Sequence, residues 1–532
     1  MPATAVTPPE AAAARPISKA LYVGPFVHSV SLQDLDICAT GAIGVDENGI
    51  IAFVERDVQN SDAAAAQLLG AKGGDWPGAR VVRIRHAAGF FFPGFIDTHI
   101  HASQYPNAGL FGTSTLLDWL TTYTFPAESS LSSLPLAHRV YSRCVARTLS
   151  HGTTTAAYYA TIHVPATALL ARLCLAAGQR AFVGRVCMDA PAPRCPDWYR
   201  DADSAAALAA THDAIAAVQA LDAGRGLVAP ILTPRFAPAC ERDTLAALGQ
   251  LLQRSPGLLA QTHVAENAGE IAWVKELFPE AAHYVDVYGR AGLLGPRTVL
   301  AHAVHVSAEE RAELARTGTK VAHCPASNTA LGSGAAGVRR LLDAGVTVGL
   351  GTDVSAGASV SVLEAVRHAV WASRHRAIMD AEEVASGASG ASKESSGKQN
   401  GHTETDSSSC CNGNGNADPD RAKLTHAEAL YLATRGGAAV LSLADKVGGF
   451  AVGMEWDAQM VGLNALASSP TTTEGEMGGV GDTGDLDIPV DVFGTESLAD
   501  CVAKWVYGGD ERNTLAVWVR GRAVRVRQGV VV

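Results

Sequence analysis

The stretch PGFIDTHIHASQ, Pro93 to Gln104, is an apolar run that ends in two histidines separated by one residue. Residues two apart in a β-strand point to the same face, so His99 and His101 would lie together at a strand end. Two neutral imidazoles on one face can bind a single metal ion, and imidazole is a common zinc ligand. Two hydrogen-bonded histidines in an ordinary strand would show the same pattern, so the motif needs support from the rest of the chain.

Apolar runs followed by polar clusters and helical patterning recur from Gly89 to about residue 353. This alternation is typical of parallel β/α units. Eight such runs can be placed, the number that a closed (β/α)8 TIM-like barrel requires: Phe90–Ile100, Thr153–Tyr159, Ala181–Cys187, Leu227–Leu232, Leu258–Thr262, Thr298–Ala301, Thr319–Ala322 and Val346–Gly351. The predicted fold class is therefore α/β, with catalysis at the carboxyl ends of the barrel strands.

The two ends of the chain show short strand patterns and turn signals instead, including a hairpin signal around Gly521. We expect them to form one smaller, composite β domain. Low-complexity composition predicts disordered insertions, and the first residues read as a flexible tail. The predicted division is a tail at 1–19, a β-sandwich from 20–89 and 445–532 with an insertion at about 468–484, and a barrel at 90–444 with an insertion at about 385–422.

Composition excludes several classes of protein. The 532 residues are 47% hydrophobic and 18% charged, which suits a large folded core. The net charge of −11 argues against nucleic acid as a partner, and no uninterrupted apolar stretch approaches the ~18 residues of a membrane span. The ten cysteines show no disulfide or zinc-finger spacing, so we expect a cytoplasmic protein.

Other predicted strands also end in residues that can bind metal. His263 and Glu266 follow the fifth run, His302 ends the sixth, and Asp353 follows the eighth. Because barrel strands direct their carboxyl ends to one mouth, these groups should converge with the first pair. A catalytic zinc takes three or four protein ligands, and His99, His101, His263 and Asp353 would serve.

Two of the converging groups have other predicted roles. His302 is either a fifth ligand or a donor that orients the attacking water; spacing does not decide, and we favour the second role. Glu266 follows a ligand closely and is the candidate general acid/base. The absence of lysine between Lys72 and Lys275 favours one metal ion per subunit over a lysine-bridged pair.

Longer motifs carry a specific resemblance. The segments PGFIDTHIHASQYPN, LLDWLTTYTFPAE, HGTTTAAYYATIH, GQRAFVGRVCMD, LTPRFAPAC, THVAEN, AHCPASN and GLGTDVS resemble the guanine deaminase family of the amidohydrolase superfamily, from about Phe26 to Leu443. The resemblance implies a metal-dependent hydrolase barrel joined to a composite β-sandwich, one zinc ion per subunit, a homodimer, and hydrolysis of guanine to xanthine and ammonia.

Position by position, the resemblance makes His99, His101, His263 and Asp353 the zinc ligands and Glu266, His302 and Asp353 the catalytic residues. It implies that Asp353 accepts a proton from the attacking water, that Glu266 shuttles protons to the ring and the amine, and that His302 orients the hydroxide. The implied contacts to guanine or the water are Gln104, Arg235, Phe236, His263, His302 and Asp353.

Some interpretations stay open. Phe236 could instead be a core aromatic, and Arg235 could form a salt bridge at the rim. His163 and His323 exceed the number of ligands needed and are expected to be structural. The family usually has Gly at position 303 and Asn at position 326, where this chain has Ala303 and Ala326.

Two other functions remain as alternatives. A related amidohydrolase could act on another aminopurine, a pterin or a triazine. A non-catalytic scaffold could use the C-terminal Gly-Val-Val-Val as a PDZ-type ligand, although three valines more often simply form a strand.

Overall fold

Eight parallel strands form the central sheet of the computed structural model, which describes residues 17–86, 88–222, 224, 226–390, 421–466 and 487–532. Each strand pairs with the next along the chain. In chain order they are Phe95–His101, Thr153–Tyr159, Arg180–Gly184, Val228–Pro234, Leu259–Val264, Thr298–His302, Lys320–His323 and Val348–Leu350; Val186–Cys187 adds a short extension beside the fourth strand.

The barrel closes between its first strand and the segment that follows its eighth. Asp353 N donates to His99 O at 2.9 Å, and His101 N donates to Val354 O at 2.9 Å. The side chain of Thr98 adds a bond to the carbonyl of Leu350 at 2.8 Å. Closure therefore brings the two histidines of the first strand directly beside Asp353, and the predicted (β/α)8 fold is confirmed.

Helices cover the outside of the barrel, as the parallel strand order demands. Several begin with the hydrogen-bonded capping box that their sequences indicate, among them those after Ser307 and Thr425. The helices of the described residues are Asp62–Lys72, Leu116–Trp119, Phe125–Ser130, Leu134–Ser150, Val164–Ala177, Ser204–Asp222, Arg242–Arg254, Ala268–Leu277, Tyr284–Arg290, Ala308–Thr317, Pro325–Ala330, Val338–Asp343, Val362–Gly390, His426–Tyr431, Gly437–Val440 and Leu498–Gly508, with π-helical turns at Leu120–Thr124 and Leu432–Gly436.

Strands from both chain ends share one sheet, as expected. Six strands lie in the order Arg522–Val526, Thr514–Val519, Ala458–Val461, Phe90–Pro93, Phe26–Ser29 and Leu35–Cys38. A four-stranded sheet has the order Ile51–Arg56, Gly41–Val45, Ala20–Val23 and Arg80–Arg83. Tyr22 of the smaller sheet packs on Trp456 at 4.3 Å and on Trp518 at 5.4 Å between ring centroids, so aromatic side chains join the two sheets.

Two details differ from the sequence-based expectation. The run Phe90–Ile100 is two strands: Phe90–Pro93 pairs with Ala458–Val461 in the β domain, and the barrel strand starts at Phe95. Gly94 lies between them, at a position where a Cβ would come within 2.2 Å of the Thr154 side chain. The segment from 385 to 390 belongs to helix Val362–Gly390 rather than to an insertion.

The rest of the two predicted insertions, and most of the predicted tail, lie outside the described residues. The sequence-based prediction also missed helix Leu498–Gly508. Trp505 of this helix stacks on Phe95 beneath the barrel, with 5.7 Å between the ring centroids. None of the helices in the described ranges combines the length and apolar character needed to cross a bilayer.

Candidate active site

The five predicted metal-site groups meet at the carboxyl end of the barrel. His101 Nε2 lies 3.2 Å from both His99 Nε2 and His263 Nε2. Asp353 Oδ1 lies 3.1 Å from His99 Nε2 and 3.4 Å from His101 Nε2. The Nε2 atom of His302 belongs to a further set with His99 and His263, all close enough to bind one ion. Four strands therefore deliver these side chains to one point, as the spacing predicted.

The chemistry of the donors fits a cation. His263 Nδ1 lies 2.6 Å from the carbonyl oxygen of Arg235, which only accepts, so Nδ1 carries the proton and Nε2 presents a lone pair to the centre. Burial lowers the pKa of His99, His101 and His263, which keeps the imidazoles neutral. Neutral ring nitrogens gathered with one carboxylate form a donor set that suits zinc.

Asp353 is the ionised member of the group. Burial opposes its charge, but the hydrogen bond from His99 and the neighbouring imidazoles outweigh it and lower its pKa to about 2. A carboxylate that stays ionised at neutral pH can bind a cation and accept a proton from a nearby water. Its second oxygen, Oδ2, lies 3.9 Å from His302 Nε2, so the two side chains face each other across the site.

Two supporting side chains were not predicted. Asp97, fully buried, accepts hydrogen bonds from Thr352 N at 3.0 Å, Thr352 Oγ1 at 2.5 Å and His99 N at 3.2 Å, and so ties the first strand to the eighth. The same period-2 spacing that pairs His99 with His101 could have identified Asp97. Asn328 Oδ1 lies 2.9 Å from His302 Nδ1 and orients that ring, a role that no local sequence signal indicated.

Glu266 lies where a general acid/base is needed. Its Oε2 is 3.5 Å from His302 Nε2, and its Oε1 accepts a hydrogen bond from Ser333 Oγ at 3.3 Å. Burial raises the pKa of Glu266 to about 7, against the opposing effect of His302. A carboxyl group with this pKa exists in both protonation states near neutrality, which suits a group that first gives and then takes a proton.

A cavity opens beside these groups. The cavity contains the predicted substrate contacts and several side chains that the sequence reading did not single out. Its lining is His101, Gln104, Leu116, Trp119, Leu120, Thr124, Arg235, Phe236, His263, Glu266, Glu270, His302, Leu331, Asp353 and Ala356.

The predicted substrate residues combine structural and lining roles. Phe236 is 4% exposed and packs in an apolar cluster with Phe125 and Tyr199, as a core aromatic does. It also lines the cavity, and its contact with a base stays a prediction. Arg235 is buried, and the interpretation as a rim salt bridge is wrong: it pairs deep in the cavity wall with Glu128. Glu128 lies in the motif LLDWLTTYTFPAE, but no local pattern indicated its role.

The two additional histidines lie outside the ligand set, as expected. His163 Nε2 faces the carbonyl oxygen of Ser129 at 3.3 Å. His323 is fully buried, and neither of its ring nitrogens has a hydrogen-bond partner among the described residues.

The fold and the site define the class of protein, a barrel hydrolase that works with a metal ion. The model of the Amidohydrolase family matches residues 90–397. A probable guanine deaminase of Schizosaccharomyces pombe is 41% identical over 95% of this chain and 83% of its own length. Guanine deaminase of Homo sapiens is 34% identical over 95% of this chain and 96% of its own.

A solved structure extends the comparison. Guanine deaminase from C. acetobutylicum with guanine bound in its active site superimposes with a TM-score of 0.72 at 28% identity, covering 95% of this chain and 99% of that one. The chain described here therefore belongs to the guanine deaminases of the amidohydrolase family.

Proposed function

We propose that this protein is a zinc-dependent guanine deaminase that converts guanine and water to xanthine and ammonia. The observation that carries the proposal is the meeting of three neutral imidazoles, one ionised carboxylate and Glu266 at the wall of one cavity. The relatives named above support the choice of guanine among purine substrates.

His99, His101, His263 and Asp353 would hold one zinc ion per subunit, with His302 at the edge of the set. Bound there, the ion supplies Lewis acidity that brings the pKa of water down to about 7 and makes a nucleophile available at neutral pH. Iron or cobalt would also suit a histidine and carboxylate site, so elemental analysis must accompany the activity measurements.

The side chains perform the remaining steps. Asp353 accepts a proton from the attacking water, while His302 holds that water on the opposite side. As the oxygen adds to ring carbon 2, the protonated form of Glu266 donates to the adjacent ring nitrogen. Glu266 then takes the proton of the added hydroxyl and passes it to the amine, so the carbon–nitrogen bond breaks, ammonia leaves and the carbonyl of xanthine forms. The proton that Asp353 accepted returns to Glu266 and restores the starting state.

Arg235, Gln104 and Phe236 would bind the base. Arg235 offers N–H donors to the 6-oxo group, Gln104 contacts the ring edge, and Phe236 offers a flat surface for the ring. All three line the cavity. Adenine, whose edge reverses the donors and acceptors, would leave these groups unpaired.

We also propose that the protein is a cytoplasmic homodimer. The cysteines of the described ranges are unpaired thiols, which suits a reducing compartment. Trp371, Ile378 and Met379 are 45%, 55% and 48% exposed and lie on one face of helix Val362–Gly390, where a second subunit would cover them. Light scattering of the wild type and of Trp371→Glu tests the dimer: a wild-type monomer contradicts it.

The activity is tested by ammonia release from guanine with purified, zinc-loaded protein, together with its metal content. Glu266→Gln should lower kcat by about 10²- to 10⁴-fold while retaining the metal. Glu276→Gln, at an exposed position of the helix Ala268–Leu277 that follows Glu266, is the matched control and should retain turnover. Metal-loaded wild-type protein that releases no ammonia from guanine would overturn the proposal, and a panel of aminopurines, pterins and triazines would then identify the substrate.

A further inference from the structure

Glu128 is a fully buried carboxylate that no catalytic step uses. It accepts hydrogen bonds from Arg235 Nη1 at 2.7 Å, Arg235 Nη2 at 3.1 Å, Gln104 Nε2 at 2.9 Å and Tyr199 OH at 2.7 Å. Two of its partners are the side chains expected to contact the base. A single carboxylate therefore positions both polar side chains that are expected to contact the edge of the purine.

The first consequence concerns the orientation of the Gln104 amide. An ionised carboxylate only accepts hydrogen bonds, so the amide must turn its nitrogen toward Glu128. Its oxygen, Oε1, receives no hydrogen bond from the described residues, and the side chain lines the cavity. Without Glu128, the amide could turn either way with little difference in energy.

The second consequence concerns Arg235. Two of the five N–H groups of the guanidinium are bound to Glu128, and the others have no acceptor among the described residues. The bidentate pairing fixes the guanidinium plane. Gln104 Nε2 and Arg235 Nη2 both donate to Glu128 Oε1, so the remaining donors of Arg235 are held at a cavity wall that the neighbouring Gln104 also lines.

An acceptor beside fixed donors is complementary to a lactam, in which an N–H group neighbours a carbonyl. We infer that Glu128 is a positioning and specificity residue, which selects the lactam edge of a purine by fixing the Gln104 oxygen and the Arg235 donors toward it. The inference rests on the proposed function, since it assigns these two residues to the base. Purines with a ring-nitrogen acceptor and no oxo group would leave both side chains unpaired, which disfavours binding.

The test uses zinc-loaded, full-length protein and two competitive inhibitors. Hypoxanthine presents the lactam edge, whereas unsubstituted purine lacks the oxo group. In Glu128→Gln, the new amide can donate to Gln104 and allow it to turn, so the inhibition constant of hypoxanthine should rise by about 10- to 100-fold, with that of purine changed by less than about threefold. The kcat/KM for guanine should fall by about 100-fold or more.

Glu428→Gln is the matched control. Glu428 is also a buried glutamate paired with an arginine, Arg339, at 2.5 Å, but it lies away from the cavity. The Glu428→Gln variant should lose thermal stability and retain the preference for hypoxanthine over purine. Tyr199→Phe is a milder second variant, which removes one hydrogen bond to Glu128 without removing its charge and should reduce the preference in the same direction.

If Glu128→Gln or, where that variant does not fold, Tyr199→Phe keeps the wild-type preference for hypoxanthine, the inference is wrong. Equal weakening of both inhibitors, as a purely structural role predicts, also overturns it. Calorimetric binding of the two probes does not depend on turnover, so a wild-type protein without activity on guanine would refute the proposed function and leave the role of Glu128 separately measurable.

Discussion

Arg235→Lys tests the geometry of the binding site because it keeps the charge and removes the fork. Arginine bonds both oxygens of Glu128, at 2.7 and 3.1 Å, and still has donors for the substrate. A lysine that pairs with Glu128 turns its single ammonium away from the oxo group. One charged hydrogen bond to the substrate is lost, and such a bond contributes about 1.5–3 kcal/mol, so kcat/KM for guanine should fall about 10- to 150-fold.

The assay is steady-state ammonia release from guanine, with metal content and melting temperature measured on the same samples. Arg339→Lys alters the comparable pair with Glu428 outside the cavity and should reduce stability while leaving kcat/KM within about twofold of wild type. If Arg235→Lys also stays within about twofold, the guanidinium does not bind the substrate in the manner argued.

Further predictions concern the acid/base, the metal and a buried histidine. Burial raises the pKa of Glu266 to about 7, and its protonated form must donate, so kcat/KM should decline as pH rises above about 7. Glu266→Gln should lose about 10²- to 10⁴-fold in kcat and should no longer show that decline. A pH–rate profile checks both. Removal of the metal with a chelator should abolish turnover and lower the melting temperature, and added zinc should restore both; full activity in metal-free protein, verified by elemental analysis, would contradict the site. Burial lowers the pKa of His323 to about 3, so the unfolded chain binds a proton on this ring first as pH falls below about 6.5. The native state should therefore lose about 1.4 kcal/mol of stability between pH 8 and 5.5. Thermal unfolding at the two pH values measures this loss, which should be absent in His323→Leu.

The barrel and the convergence of its candidate metal-binding side chains were predictable because both obey short-range rules. Alternating side-chain direction joins His99 to His101, and the common direction of parallel strands brings His263, His302 and Asp353 to the same end. These arguments need no knowledge of side-chain packing. The structure places all five groups where the rules predicted.

The supporting residues were harder to predict because their partners are distant in sequence. Glu128 meets Arg235 across 107 positions, and Asp97 meets Thr352 across 255. No local periodicity encodes such a pair. Arg235 illustrates the result: its charge suggested a salt bridge at the rim, whereas burial with a carboxylate made it part of the cavity wall.

Backbone conformation explains another departure from the usual family sequence. Ala303 has a φ of 49°, in the left-handed region that glycine adopts without strain, and His302 and Asp353 have φ of 74° and 49°. Non-glycine residues held there cost about 1–3 kcal/mol each. The alanine is tolerated because its N–H donates to Val264 O at 3.1 Å, which fixes the turn against the neighbouring strand.

These strained turns follow directly from how the site is assembled. A strand that continued in regular β geometry beyond the barrel would carry its last side chain past the mouth, whereas a left-handed residue turns the chain sharply at that point. His302 and Asp353 take this conformation themselves, and the Asp353 N–H is bonded to His99 O at 2.9 Å. The hydrogen bonds that close the barrel therefore also hold Asp353, whose backbone is strained, beside the histidines of the first strand. Stability of the barrel and placement of the metal-site groups thus depend on the same few backbone contacts.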